Sequence, residues 1–266
     1  MKFKNNKLSS IYQKIIGISD EITSREGPLI IAGPCTVESE EQMESIAGEL
    51  SQLNIKFLRG GAFKPRTSPK SFQGLGAEGL EIMRKVADKY NMKIVSEILE
   101  PNQLDACYDL FDIIQIGSRC MMSYGLLKYV GKKTALDHKP VLLKRSYSAT
   151  LNELLLAAEY ITEQGNPNVI LCLRGIRTFE QTDSQMRFTP DLASIPELLS
   201  MTDLPVFFDP SHATGNANFV LPISKAAINL GVDGLLVECH DNPCDALCDG
   251  FQAIHPKQVA ELIGKS

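Results

Sequence analysis

Val141 to Gly175 reads VLLKRSYSATLNELLLAAEYITEQGNPNVILCLRG. Two short apolar runs, VLLKRS (141–146) and VILCLRG (169–175), flank LNELLLAAEYITEQ, whose apolar residues recur three and four apart. Strand, helix and strand in that order imply parallel pairing, because the helix carries the chain back to the same end of the sheet. The same grammar extends outward in both directions. LIIAGP (29–34), FLRGGA (57–62), KIVSEI (93–98) and IIQIGS (113–118) precede the unit, and VFFDPS (206–211) and GLLVECH (234–240) follow it. Segments such as SEEQMESIAGELSQL and LEIMRKVADKY fill the gaps with helical periodicity. Eight such units in about 240 residues fit a closed barrel better than an open sheet. The predicted fold is α/β, a (β/α)8 TIM barrel over 29–266 behind an N-terminal extension, 1–28. In that extension Leu8, Ile11, Tyr12, Ile15 and Ile16 keep helical spacing up to Gly17, predicting one amphipathic helix that plugs the barrel floor or packs on another subunit. Twenty-eight residues are too few for a further folded domain, which typically needs ~50 or more.

The bulk properties narrow the function. Of 266 residues 44% are hydrophobic and 22% charged, with no apolar run near the ~20 residues that a membrane span requires, so a soluble globular protein with no membrane partner is expected. The basic start, MKFKNNKLSSIYQKIIGIS, has neither a continuous apolar core nor a small-residue cleavage site, and a cytoplasmic location is expected. Seven scattered cysteines suit reduced thiols better than a disulfide framework. A formal net charge of -5 argues against a nucleic-acid partner.

In such a barrel the reacting groups belong at the C-terminal ends of the strands. Cations collect there: Arg59 closes the second run with Lys64 and Arg66 just beyond, Arg119 follows the fourth, Lys144 and Arg145 close the fifth, and Arg174 and Arg177 the sixth. Like charges crowded on one rim cost energy unless an anion neutralises them, so at least two anionic groups on the substrates are inferred. Arginine suits bidentate phosphate or carboxylate recognition and lysine supplies a point charge. A second constellation is softer: Cys35 in GPCTVES, His212 in DPSHATG, Glu238 in GLLVECH and Asp249 in the loop beyond. Strands 7, 8 and 1 adjoin in a closed barrel, so these four side chains can converge. Thiolate, imidazole and two carboxylates suit a borderline divalent ion, Mn2+, Fe2+, Co2+ or Zn2+, rather than Mg2+. Alternation along the eighth run turns Glu238 into the barrel with Leu236 and His240, while Cys239 faces the helices. Cys239, Cys244 and Cys248 lie near one another, yet no second metal is expected there. GLGAEG (74–79) matches a dinucleotide fingerprint but joins no strand directly to a helix, and is discounted.

GPC, LRGGAFKPRTSP, QIGSR, LLKR, LRGIRTFE, DPSHATG, and ECH with a later CDG together resemble 3-deoxy-D-arabino-heptulosonate 7-phosphate (DAHP) synthases. The resemblance, from residue 28 to the end, is to the short microbial subfamily related to 3-deoxy-octulosonate 8-phosphate (KDO8P) synthases, without a regulatory domain. It implies condensation of phosphoenolpyruvate with erythrose 4-phosphate, the first step of the shikimate route to aromatic amino acids, by an enzyme needing one divalent metal ion. It assigns Arg59, Arg119, Lys144 and Arg174 to phosphoenolpyruvate, and Pro65, Arg66, Thr67 and Ser68 to the sugar phosphate. Lys64 would reach between the substrates as proton donor. Cys35, His212, Glu238 and Asp249 match the metal ligands, with Cys35 and His212 counted as catalytic beside Lys64. A homo-oligomer, dimer or tetramer, is expected, and no response to aromatic amino acids. The sequence departs from the family at Cys120 to Tyr124 (CMMSY for Asn-Met-Gln-Asn), at Ser146, at Leu173, and in QTDSQMRFTPDL, which is stretched by about three residues with Phe188 and Pro190 substituting. The alternatives are a KDO8P synthase acting on arabinose 5-phosphate, whose loop usually reads Lys-Ala-Asn-Arg instead of KPRT, and a non-catalytic phosphometabolite-binding relative.

Overall fold

Each apolar run alternates between two environments, and that alternation builds the molecule. The computed structural model describes residues 27–180 and 182–263; the helix expected over Leu8 to Ile16 lies outside them. The strands are β1 (Leu29–Gly33), β2 (Phe57–Arg59), β3 (Lys93–Ile98), β4 (Ile113–Ile116), β5 (Val141–Lys144), β6 (Val169–Leu173), β7 (Val206–Phe208) and β8 (Gly234–Glu238). Each pairs in parallel with the next, and β8 closes on β1, where Ile31 sits opposite both Phe57 and Leu236. The closed eight-stranded barrel read from the sequence is therefore the fold. Leu29, Ile31, Phe57, Val95, Ile113, Leu142, Ile170, Phe207 and Leu236 fill its interior. The intervening residues, among them Ile30, Leu58, Ile94, Leu143 and Val237, pack against the surrounding helices.

Those helices are α1 (Glu40–Gln52), α2 (Ala77–Lys89), α3 (Pro101–Cys107), α4 (Tyr124–Lys133), α5 (Leu151–Thr162), α6 (Ser194–Met201), α7 (Pro210–Thr214) and α8 (Ala217–Asn229). Caps fix where the longer ones start. Ser39 accepts from Gln42 N at α1, and Thr150 with Glu153 forms a reciprocal box at α5. Among the described residues no helix is long and apolar enough to cross a membrane.

Apart from β3, the strands end before the apolar runs do, and the last residues of each run leave the ladder at the barrel mouth. The end of β1 needs glycine: Gly33 has φ +153°, and a Cβ there would lie 2.0 Å from the Arg59 carbonyl oxygen. After β6 the stretched loop folds back on itself, with Ile176 and Thr189 exchanging backbone hydrogen bonds of 2.8 and 2.9 Å. Helix α6 begins only at Ser194.

Candidate active site

Two residues above the apolar interior, the inward positions turn polar: Arg59, Glu97, Gln115, Lys144, Asp209 and Glu238, all buried. Buried charges need partners, and here they find one another. Arg59 Nη1 donates to Glu238 Oε1 at 2.7 Å across the β1 gap, and Lys144 Nζ to Asp209 Oδ2 at 2.5 Å. Gln115 donates to Glu97 Oε2 at 3.0 Å. Burial disfavours the Glu238 anion, but His212, Arg59 and Lys64 more than offset that and bring its pKa down to about 2. Burial likewise opposes ionisation of Asp209, and His212 and Lys144 hold it well below the ordinary carboxylate range.

Asp209 also orients the imidazole. It caps α7 by accepting from His212 N, and its Oδ2 lies 2.8 Å from His212 Nδ1, which makes Nδ1 the donor and leaves the Nε2 lone pair facing Glu238 Oε1 at 3.5 Å. Burial lowers the His212 pKa, against the pull of Asp209 and Glu238, and so favours the neutral, ligating form.

The four expected metal ligands converge. One ligand atom from each of His212, Glu238 and Asp249 falls within 4.8 Å of the others, and so do those of Cys35, Cys248 and Asp249, which joins the two trios. Asp249 reaches this point from a left-handed backbone, φ 51°, that Asp tolerates. Cys35 Sγ lies 3.5 Å from Asp249 Oδ2 and 3.0 Å from Cys248 Sγ. Donation to Cys248, burial and Glu238 raise the Cys35 pKa well above its ordinary value, while that hydrogen bond and Lys64 lower the Cys248 pKa against burial. The donor set is one that a borderline divalent ion fits.

Lys64 leans over this group, its Nζ 3.3 Å from both the Cys35 carbonyl oxygen and Sγ. Burial opposes its charge, but Cys35, Cys248 and Glu238 outweigh that and raise its pKa, so it stays an ammonium. Arg66 reaches inward and touches Cys248, whereas Thr67 and Ser68 are exposed on the loop and Pro65 is half-buried. Arg174 is buried, donates to the His212 carbonyl oxygen at 2.8 Å, and stacks 4.1 Å from the Phe188 ring. Burial lowers its pKa to about 10 despite the pull of Asp209. Arg119 stands exposed above β4.

Not all of the rim cations await an anion, contrary to expectation. Of the eight, Arg59 and Lys144 are neutralised by Glu238 and Asp209, and Arg145 turns away to Asp191 at 2.7 Å. Arg177 is exposed and lies over the Tyr147 ring. Lys64, Arg66, Arg119 and Arg174 have no carboxylate within 4.0 Å among the described residues. Arg59 Nε, Arg174 Nε and Ser118 Oγ are buried at the mouth without partners among the described residues, as donors awaiting a ligand would be. His240 departs from expectation too. It lies beyond the end of β8, its Nε2 3.0 Å from Gln42 Nε2 on α1, instead of continuing the inward row. Cys239 does face the helices. Cys248, grouped with it in the sequence, belongs instead beside Cys35. Sequence reasoning missed Asp209 and Gln252, which donates to Glu238 Oε2 at 2.5 Å; the Asp three residues before His212 was the available signal for the first.

The sequence matches the profile of the DAHP synthetase I family over residues 11–265. It is 47% identical over 234 residues, 88% of this chain and 67% of the relative, to a phospho-2-dehydro-3-deoxyheptonate aldolase of Thermotoga maritima. A 2-dehydro-3-deoxyphosphooctonate aldolase of Koribacter versatilis is 30% identical over 255 residues, 88% of each chain. The crystal structure of the Thermotoga enzyme superposes with a TM-score of 0.83 at 47% identity, covering 89% of this chain and 67% of that one. A truncated form of 3-deoxy-D-arabino-heptulosonate 7-phosphate synthase from the same organism superposes with 0.79 at 43%, covering 89% and 84%.

Proposed function

The chain belongs to the DAHP synthetase I family, and on that premise we propose that it makes DAHP and phosphate from phosphoenolpyruvate, erythrose 4-phosphate and water. The observation that carries the reading is the juxtaposition of the Cys35, His212, Glu238 and Asp249 donors with cations that lack carboxylate partners. The chemistry fits. Arg59, Lys144, Arg174 and Arg119 hold the carboxylate and phosphate of phosphoenolpyruvate, Arg59 and Arg174 through the Nε groups that have no partner among the described residues. Arg66, Thr67 and Ser68 hold the phosphate of the sugar, on a loop that Pro65 and Pro69 restrict.

Cys35, His212, Glu238 and Asp249 would hold one divalent ion, which would supply Lewis-acid polarisation of the aldehyde oxygen of erythrose 4-phosphate. Cys35 would give up its proton to serve there, since the thiolate is the ligand. The cationic pocket fixes the enol carbon of phosphoenolpyruvate against the aldehyde carbon, replacing a bimolecular encounter by an oriented pair. Lys64, kept protonated by its neighbours, gives a proton to the alkoxide that the new carbon–carbon bond creates. Water then adds at C2 and phosphate leaves into the arginine cluster.

Pro65 and Arg66 set the sugar. They hold its phosphate close to Cys35, leaving room for a four-carbon chain and crowding a five-carbon one. Consumption of phosphoenolpyruvate, followed with each sugar in turn, tests this. Erythrose 4-phosphate is expected to be the better substrate by kcat/KM. A preference for arabinose 5-phosphate would replace this reading by that of the octonate relatives.

A further inference from the structure

Cys248 is the residue of the site that the expected ligand set does not use. It is buried at 3% exposure, yet neither it nor Cys35 joins the two apolar clusters, where a thiol serving only as a small hydrophobe would sit. Its Sγ lies 3.0 Å from that of Cys35, and both sulfurs lie within 4.8 Å of an Asp249 oxygen. The backbone commits it to that place. Cys248 and Asp249 are consecutive, and the next residue, Gly250, leaves no room for a Cβ, which would fall 2.1 Å from the Pro243 carbonyl oxygen. Two cations sit against the sulfur pair, Lys64 Nζ at 3.3 Å from Cys35 Sγ and the Arg66 guanidinium on Cys248.

We propose that Cys248 is a second thiolate ligand of the ion held by Cys35, His212, Glu238 and Asp249. The inference rests on the metal reading of those four residues and deepens it. With two sulfurs among five donors the site is softer than a single-thiolate one, and favours Zn2+, Co2+ or Cd2+ over Mn2+ more strongly.

Cobalt makes the thiolates visible, because each one bound to Co2+ contributes sulfur-to-metal charge-transfer absorption in the near ultraviolet. The full chain, stripped of metal and kept reduced, is titrated with Co2+ and separately with Zn2+ and Mn2+. Cys248→Ser and Cys248→Ala should each lose about half of the wild-type band, as should Cys35→Ser. Removing even an outer partner of a ligand costs 10- to 100-fold in metal affinity, so losing a direct ligand should cost Zn2+ about 100-fold, with a smaller change for Mn2+. In the wild-type chain, where no variant has to fold, Zn2+ should shield both Cys35 and Cys248 from a thiol reagent while the exposed Cys244 stays reactive. An unchanged band and Zn2+ affinity in both Cys248 variants, or a Cys248 modified at its metal-free rate in the loaded protein, would overturn the second ligand alone. No charge-transfer band in the wild type would overturn the metal reading with it.

Discussion

Single side chains at this barrel mouth serve two masters, and the clearest is Asp209. It neutralises Lys144 and fixes the tautomer of His212 with one oxygen, while capping α7 with the other. Asp209→Asn keeps the shape but offers an amide where Nδ1–H needs an acceptor, so His212 loses its preferred tautomer. Metal affinity should fall 10- to 100-fold, measured by competition with a chelating dye, with little change in fold by circular dichroism. Arg66 makes the simpler case. Loss of a charge-assisted phosphate contact costs roughly 1.5–3 kcal/mol, so Arg66→Ala should lower kcat/KM for erythrose 4-phosphate by roughly 10- to 150-fold. The KM for phosphoenolpyruvate should change far less. If phosphoenolpyruvate suffers chiefly, the loop has been given the wrong substrate. Residues of this kind were legible to different degrees. Cys35, His212 and Glu238 stood out because reactive side chains lie in or just beyond apolar runs, whereas Asp249 sits in the loop well past the end of β8. Asp209 and Cys248 did not stand out, because their roles depend on which neighbour each one meets, and contacts such as Cys35 to Cys248 span 213 positions of sequence.

Among the elements, β8 and the loop after β6 mark the two extremes of legibility. Period-two alternation placed Leu236 and Glu238 inside the barrel and Cys239 outside, because both faces of a barrel strand are buried and a slip of one residue would exchange them. The same rule failed at His240, since alternation holds only while the ladder lasts and β8 ends at Glu238. The loop after β6 was unreadable beyond its length. Its stretched sequence closes as an arm through Ile176 and Thr189, and this delivers Phe188 onto the Arg174 guanidinium at 4.1 Å. The ring at position 188 thereby covers a buried cation that would otherwise face water on one side. Cation–π contacts contribute about 0.5–2 kcal/mol, so Phe188→Ala should raise KM for phosphoenolpyruvate by roughly 2- to 30-fold while the sugar KM holds. An unchanged phosphoenolpyruvate KM would mean that the arm merely lies over the site.

At the scale of the whole molecule, the barrel brings together groups from β2, β5, β7 and β8 and from the loops after β1 and before Gly250, and contacts across the β8–β1 seam such as Arg59 to Glu238 exist only because the sheet closes. That closure was legible because the strand–helix unit recurs eight times, and it made the convergence of strands 7, 8 and 1 a geometric consequence. The charge balance of the mouth was not legible, since composition shows how many cations there are and not which carboxylates face them. Everything proposed for this mouth turns on one condition: it condenses its two substrates only when an ion is bound through the Cys35 thiolate. That condition is checked by following DAHP formation from phosphoenolpyruvate and erythrose 4-phosphate by the chelator-stripped chain, before and after Mn2+ is restored, beside Cys35→Ser. The stripped protein should be inactive, Mn2+ should restore activity to the wild type, and the serine variant should recover little, because a hydroxyl is a poor ligand beside a thiolate. Full activity in the stripped protein, or in the serine variant at the same Mn2+ concentration, would show that the thiolate-bound ion is not needed for the condensation.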